Sequence, residues 1–161
     1  MSPQINPDKI RVLVVGLGNM GLSHAQSYHN NSGFEIVGLA NRSEVKLPAA
    51  LQSYPRFGSL EEGLAETKPD LVSINTLTDS HADYAIRSME AGAHVFVEKP
   101  LAATVEDAER VIATATRLHR KLVIGYILRH HPSWMEFIRI AREMGGPYVM
   151  RMNLNQQSHA E

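Results

Sequence analysis

The chain has no cysteine. Disulfides, thiol nucleophiles and cysteine-based zinc sites are therefore outside its chemistry. Neither sign of charge is in excess: Lys and Arg total 16 against 17 Asp and Glu, for a net charge of −1. There is no basic field of the kind that gathers nucleic acid, and no such partner is expected. Long apolar runs are missing too. None approaches the roughly 20 residues that span a bilayer, so no membrane partner is expected. The opening stretch, MSPQINPDKI, is polar and has no signal-peptide core, which makes a cytoplasmic location the expectation. No G-x-S-x-G elbow and no P-loop spacing occurs, which removes serine-hydrolase and triphosphatase readings. Histidines are plentiful, but His130 and His131 are adjacent, so on a helix they diverge by about 100°. No H-x-x-x-H pair with a nearby acid appears, and no metal site is expected.

What is present is organised by short apolar runs. Residues 10–16, 34–40, 70–75, 94–98 and 121–126 are rich in Val, Ile and Leu. Continuous runs of this kind suit strands buried on both faces, as in a parallel sheet. Helical patterns separate them, at 19–30, 59–67, 79–91, 104–118 and 132–144. In 79–91, Ala82, Ala85, Ile86 and Met89 form one stripe, Asp79 or Ser80 can cap the start, and Gly92 suits a left-handed stop. In 104–118, Thr104 and Asp107 resemble a capping box, and Ala108, Val111, Ile112 and Ala115 share a face. With a further helix and a short strand expected between 41 and 58, the alternation predicts an α/β fold, a doubly wound parallel sheet covered on both faces. Residues 1–9, which include Pro3 and Pro7, read as a disordered lead-in.

The tail departs from this pattern. Residues 147–157 alternate Tyr148, Met150, Met152 and Leu154 against Val149, Arg151, Asn153 and Asn155. Period two indicates a strand with one dry face, and a lone strand has nothing to pair with. The expectation is a dinucleotide-binding domain over 10–145 and, over 146–161, the first strand of a truncated α+β domain. The alternative is an added edge strand of the main sheet.

Two features carry chemistry. Gly16-Leu17-Gly18-Asn19-Met20-Gly21 is a G-x-G-x-x-G loop between an expected strand and an expected helix. Gly16 permits the tight turn, Gly18 lets backbone approach a pyrophosphate, and Gly21 allows close helix packing. The phosphates would sit at the helix N-terminus. A glycine turn that binds nothing is the plain alternative. An acid about 20 residues on would bind a ribose 2′-hydroxyl and repel a 2′-phosphate. Here the residues are Asn41-Arg42-Ser43, with Lys46 nearby. Asn41 does not repel a phosphate, and Arg42 and Ser43 can bind one, so the balance favours NADP over NAD. Arg42 as a solvated loop cation is the competing reading.

The second feature is Glu98-Lys99-Pro100, where an apolar strand ends on an acid, a base and a proline. Ligands of such sheets bind beyond the carboxyl ends of the strands. Pro100 restricts Lys99 to extended geometry and admits a cis bond. An ammonium beside a desolvated pocket can trade protons near neutrality. A surface ion pair of little consequence is the alternative.

The stretches GLGNMGLSH with His24, INTLTDSHADYA with His81, AGAHVFVEKPLA and IGYILRHHPSW together resemble the glucose–fructose oxidoreductase / inositol dehydrogenase / MocA family of NAD(P)-dependent oxidoreductases, over residues 9–157. The resemblance implies a Rossmann domain followed by an α+β domain that shapes the substrate pocket and an oligomer interface. It implies NAD(P) as cofactor, a carbohydrate-like small-molecule substrate and a homo-oligomer when the second domain is present. It places Gly16, Gly18, Asn19 and Met20 at the pyrophosphate, and Asn41 and Arg42 at the adenosine ribose or its phosphate. It places Thr76, Leu77 and His81 beside the cofactor, Glu98 at the nicotinamide riboside, Lys99 as the catalytic lysine and Arg129 near the cofactor. Two departures stand out. Position 41 is Asn, and the family's second catalytic group, a His with an Asp shortly before it, is not found before Glu161; His159 lies too near the start of the second domain. The rival readings are a non-catalytic dinucleotide-binding module and an S-adenosylmethionine methyltransferase, which gives Glu98-Lys99-Pro100 no role.

Overall fold

The structure, a computed structural model, describes residues 9–152. It divides into two compact units, Met1–Gly125 and Tyr126–Glu161.

In the first unit the strands are β1 (Ile10–Val15), β2 (Phe34–Ala40), β3 (Arg56–Phe57), β4 (Leu71–Ile74), β5 (His94–Val97) and β6 (Leu122–Ile124). The helices are α1 (Asn19–Asn30), α2 (Leu60–Thr67), α3 (His81–Glu90) and α4 (Val105–Arg117). All six strands are parallel, in the order β3-β2-β1-β4-β5-β6. The strand order reverses between β1 and β4, the topological switch point of a doubly wound sheet.

Strand β1 shows why its apolar run is unbroken. Val12 and Val14 enter one core with Leu17, Ala25, Ile36 and Leu39. Leu13 and Val15 enter the other with Leu60, Val72, Ile74, Ala85 and Val111. Both faces are dry, so no polar alternation survives. Helix α1 covers the first face, and α2, α3 and α4 cover the second.

The helix ends follow side-chain chemistry. Ser59 accepts a hydrogen bond from the Glu62 N–H and caps α2, while Thr104 accepts from the Asp107 N–H and caps α4. Gly92, at φ +97°, follows α3 as expected. Three details differ from the sequence reading. Helix α3 starts at His81 after a 3₁₀ turn over Thr78–Ser80, and neither Asp79 nor Ser80 caps it through its side chain. Between β2 and β3 the expected helix is a three-residue 3₁₀ turn, Ala49–Leu51, enclosed by Pro48 and Pro55. Ile112 faces solvent rather than the core.

The second unit holds a 3₁₀ turn, Ile127–Arg129, and α5 (Pro132–Met144), with Pro at the start of the helix. Arg139 bridges Glu136 and Glu143 along one side of α5. Trp134 and Phe137 meet edge to face with centroids 5.9 Å apart. None of the residues of α5 is buried. The expected strand over 147–157 is not formed across residues 147–152, and its remainder lies outside the described residues. His159 and residues 1–8 of the expected lead-in also lie outside them. Among the described residues no helix is long and apolar enough to cross a membrane.

Candidate functional site

Strand register aligns the site. Val15 pairs with Ala40 and with Ile74, Ile74 with Val97, and Val97 with Ile124. The next residue on each strand is therefore Asn41, Gly16, Asn75, Glu98 or Gly125. These five form one row along the carboxyl edge of the sheet, in the order of strands β2, β1, β4, β5 and β6. Neighbours in the row are about one strand spacing apart, roughly 4.8 Å.

Gly16 turns the chain at φ +83°. A Cβ there would meet the Asn75 carbonyl carbon and oxygen at 2.8 Å. A Cβ on Gly21 would stand 1.7 Å from the Gly16 oxygen. At Gly18 a Cβ would meet nothing within 4 Å, so the loop presents bare backbone to open space. Gly18 is also the N-cap of α1, which has no side-chain cap and no acid in its first turn. Unpaired N–H groups and the positive dipole end thus face a gap of the kind that receives a phosphate group. Asn19 and Met20 are exposed at this helix start.

Beside the loop lies a cavity of about 260 Å³, and among its lining residues are Gly16, Gly18, Asn41, Arg42, Ser43, Thr76 and Leu77. Seven of the sequence-derived candidates therefore converge. Asn41 does more than line the wall. Its Oδ1 accepts from the Leu17 N–H at 2.9 Å, and its Nδ2 donates to the Ser43 carbonyl at 2.8 Å. It braces the glycine loop against the loop after β2. Arg42 and Ser43 are exposed, and no acidic residue lines this cavity.

Asn75 also lines the cavity, and the sequence reading missed it. Its Nδ2 donates to the Ser73 carbonyl at 3.0 Å, while its buried Oδ1 has no partner among the described residues. The available signal was a polar residue closing an apolar strand.

The remaining candidates lie elsewhere. His81 does not line the cavity. It is 1% exposed, with Nδ1 2.7 Å from the Pro100 oxygen and Nε2 3.0 Å from the Thr76 oxygen. It fastens the turn after β4 to the turn after β5. Glu98 is buried. Its Oε1 lies 2.9 Å from His24 Nε2, and its Oε2 accepts from the Lys99 N–H at 3.2 Å. Lys99 is exposed and precedes a cis bond to Pro100. The dry surroundings expected for its ammonium are not supplied by the described residues. Arg129 belongs to the second unit, where its guanidinium carbon stands 5.0 Å from the Tyr126 ring centre.

A strand order of 3-2-1-4-5-6, a glycine cradle at the switch point and a cavity beyond β2 define a dinucleotide-binding Rossmann domain. Residues 10–126 match the Gfo/Idh/MocA family, described as an oxidoreductase family with an NAD-binding Rossmann fold, and the chain belongs to that family. It is 36% identical over 132 residues to the UDP-N-acetylglucosamine 3-dehydrogenase of Acidithiobacillus ferrooxidans, covering 82% of this chain and 41% of that protein. It is 28% identical over 145 residues to the inositol 2-dehydrogenase of Salmonella typhimurium, covering 85% of this chain and 43% of that protein. The structure of the WlbA dehydrogenase from Chromobacterium violaceum, in complex with NADH and UDP-GlcNAcA, aligns with a TM-score of 0.75 at 27% identity, covering 86% of this chain and 41% of that one. The chain therefore spans about two fifths of the length of these relatives.

Proposed function

We propose that the chain is the cofactor-binding part of an NAD(P)-dependent oxidoreductase acting on a CH–OH group of a sugar, polyol or related substrate, with NADP preferred over NAD. The observation that carries this reading is the row Asn41, Gly16, Asn75 and Glu98 beside the bare backbone at Gly18.

The cradle fits the cofactor. Gly18 leaves open the space that a pyrophosphate needs, and the α1 start supplies N–H groups to it. The cavity beyond β2 would take the adenosine, with Arg42 and Ser43 able to hold a 2′-phosphate and Asn41 bringing no opposing charge. Asn75 Oδ1 supplies an acceptor to a cofactor donor. Thr76 and Leu77 form the wall on the β4 side. Glu98, two strand spacings from Gly16, would hold the far riboside. When bound, the nicotinamide exchanges hydride with the substrate carbon. Lys99 holds the substrate oxygen and carries its proton. The two relatives named for UDP-N-acetylglucosamine and inositol support a polyhydroxylated substrate. In the whole protein a further domain shapes the substrate pocket, supplies a second proton-transfer group and forms a homo-oligomer.

Fluorescence titration with NADPH and NADH tests the cofactor reading. Binding of either, with NADPH tighter, is the expected result. Arg42→Ala should weaken NADPH by about tenfold, the usual worth of a charge-assisted contact, and NADH by less than twofold. Equal losses would remove the NADP preference. For catalysis, Lys99→Ala in the whole protein should abolish turnover while leaving cofactor affinity within about threefold.

A further inference from the structure

Glu98 and His24 lie 74 residues apart in the sequence, yet their side chains meet at 2.9 Å. An ionised carboxylate only accepts, so Nε2 of His24 donates to it. His24 sits on α1, one turn beyond Gly21, and its ring rests on Phe96 at a centroid distance of 5.0 Å. Glu98 is held on three sides. His24 fixes one oxygen, the Lys99 N–H fixes the other, and β6 closes the third side at Gly125. A Cβ at Gly125 would stand 3.1 Å from Glu98 Oε1 and 3.2 Å from Oε2, so even a methyl group would press on the carboxylate.

We infer that His24 is a positioning residue: it aims the Glu98 carboxylate at the nicotinamide-side ribose and ties that contact to the helix whose start receives the pyrophosphate. The inference rests on the dinucleotide reading above. Helix α1 then serves the cofactor twice. Its first N–H groups meet the phosphates, and one turn later His24 sets the acceptor for the next sugar along. Each carboxylate oxygen still has a lone-pair direction left for a ribose hydroxyl, and loss of His24 frees the carboxylate to rotate away from it.

Ligand fragments separate this role from a merely structural one. ADP carries the adenosine and the pyrophosphate; ADP-ribose adds the second ribose. Calorimetric titration of the chain should show ADP-ribose binding about tenfold tighter than ADP, the scale of a hydrogen bond to a charged group. If NADPH is the preferred cofactor, the 2′-phosphorylated pair replaces them. His24→Leu should erase most of that increment while ADP affinity stays within about twofold. His24→Gln, which can place an amide N–H near the Nε2 position, should restore at least half of it. His24→Asn, too short to reach Glu98, should behave as His24→Leu does and substitutes for it should the leucine variant not fold. An unchanged increment in the Leu and Asn variants, or equal weakening of both fragments, overturns the inference while leaving the dinucleotide reading intact. A wild-type chain that binds neither NADPH nor NADH overturns both.

Discussion

Asn41 Oδ1 accepts the Leu17 N–H at 2.9 Å, which binds the tip of β2 to the middle of the glycine loop. The residue at this place therefore braces the cradle, and in the proposed reading it also bears on cofactor choice. The two effects can be separated by charge. Asn41→Asp keeps an acceptor for Leu17, loses the donor to the Ser43 carbonyl and adds an anion beside Arg42, where the proposed reading puts a 2′-phosphate. It should weaken NADPH by about tenfold or more and leave NADH equal or tighter, since a carboxylate suits a ribose 2′-hydroxyl. Asn41→Ala removes the brace without adding charge and should weaken both cofactors by about fivefold, the worth of one hydrogen bond. Identical NADPH/NADH ratios for the two variants would show that charge at position 41 does not set the choice.

Gly18 and Gly21 occupy one motif but fail differently. A methyl group at Gly18 meets nothing within 4 Å among the described residues, so Gly18→Ala should keep its melting temperature within a few degrees and lose dinucleotide binding. At Gly21 the methyl would lie 1.7 Å from the Gly16 oxygen, a contact that must push α1 off β1. Gly21→Ala should cost several kcal/mol of stability, in the upper range for single substitutions. Circular dichroism melts and NADPH titration of both variants check this. Full binding by Gly18→Ala would mean that the phosphates do not approach there.

The sheet was legible because its strands are buried on both faces. Val12, Val14 and their neighbours leave unbroken apolar runs, short and rich in β-branched residues, as buried parallel strands do. The limits of α1 and α5 agree with the sequence reading, and Thr104 and Gly92 mark the ends expected of them. The expected helix before β3 lost to length: Pro48 and Pro55 leave room for one turn only. The tail strand needs a partner strand, and residues 147–152 have none among the described residues. The site was half legible. A glycine motif announces itself locally, as does a charged pair closing a strand. The His24–Glu98 contact, the Asn41 brace and the orphaned Asn75 oxygen exist only once β1, β2, β4 and β5 lie side by side, because no spacing in the chain encodes them.

His81 illustrates the same point and carries its own prediction. Its two ring nitrogens lie 2.7 and 3.0 Å from carbonyls of Pro100 and Thr76, so one buried ring packs between two loops that follow different strands, and a neutral imidazole donates to one of these carbonyls at a time. His81→Leu fills much of the space but leaves both carbonyls without it. The expected cost is about 1–3 kcal/mol, from the lost ring contact and a partly buried acceptor left without it. His81→Gln, able to reach one carbonyl, should recover about half of this. Urea midpoints measure both. A loss below about 0.5 kcal/mol in the leucine variant would mean that water or backbone movement replaces the ring.

Tyr28 offers a test in the alkaline range. It lies on α1, one turn from His24, with its ring 4.9 Å from that of Phe34. Burial, the dominant influence, raises its phenol above the ordinary value of 10.0, and the Ser73 hydroxyl only partly opposes this. The folded chain therefore holds this proton more tightly than the unfolded chain does. The resulting stability is fully present below about pH 10 and is lost as pH rises through the folded value. Tyr28→Phe has no proton to lose at this position. The stability of the wild type relative to Tyr28→Phe should thus decline across the interval that begins at about pH 10 and runs upward through the folded value, while titrations elsewhere cancel in the difference. Paired urea unfolding curves across that interval check it. A difference independent of pH would show that the phenol is as well hydrated in the folded chain as in the unfolded one, and that α1 packs less closely on β2 than the Tyr28–Phe34 contact indicates.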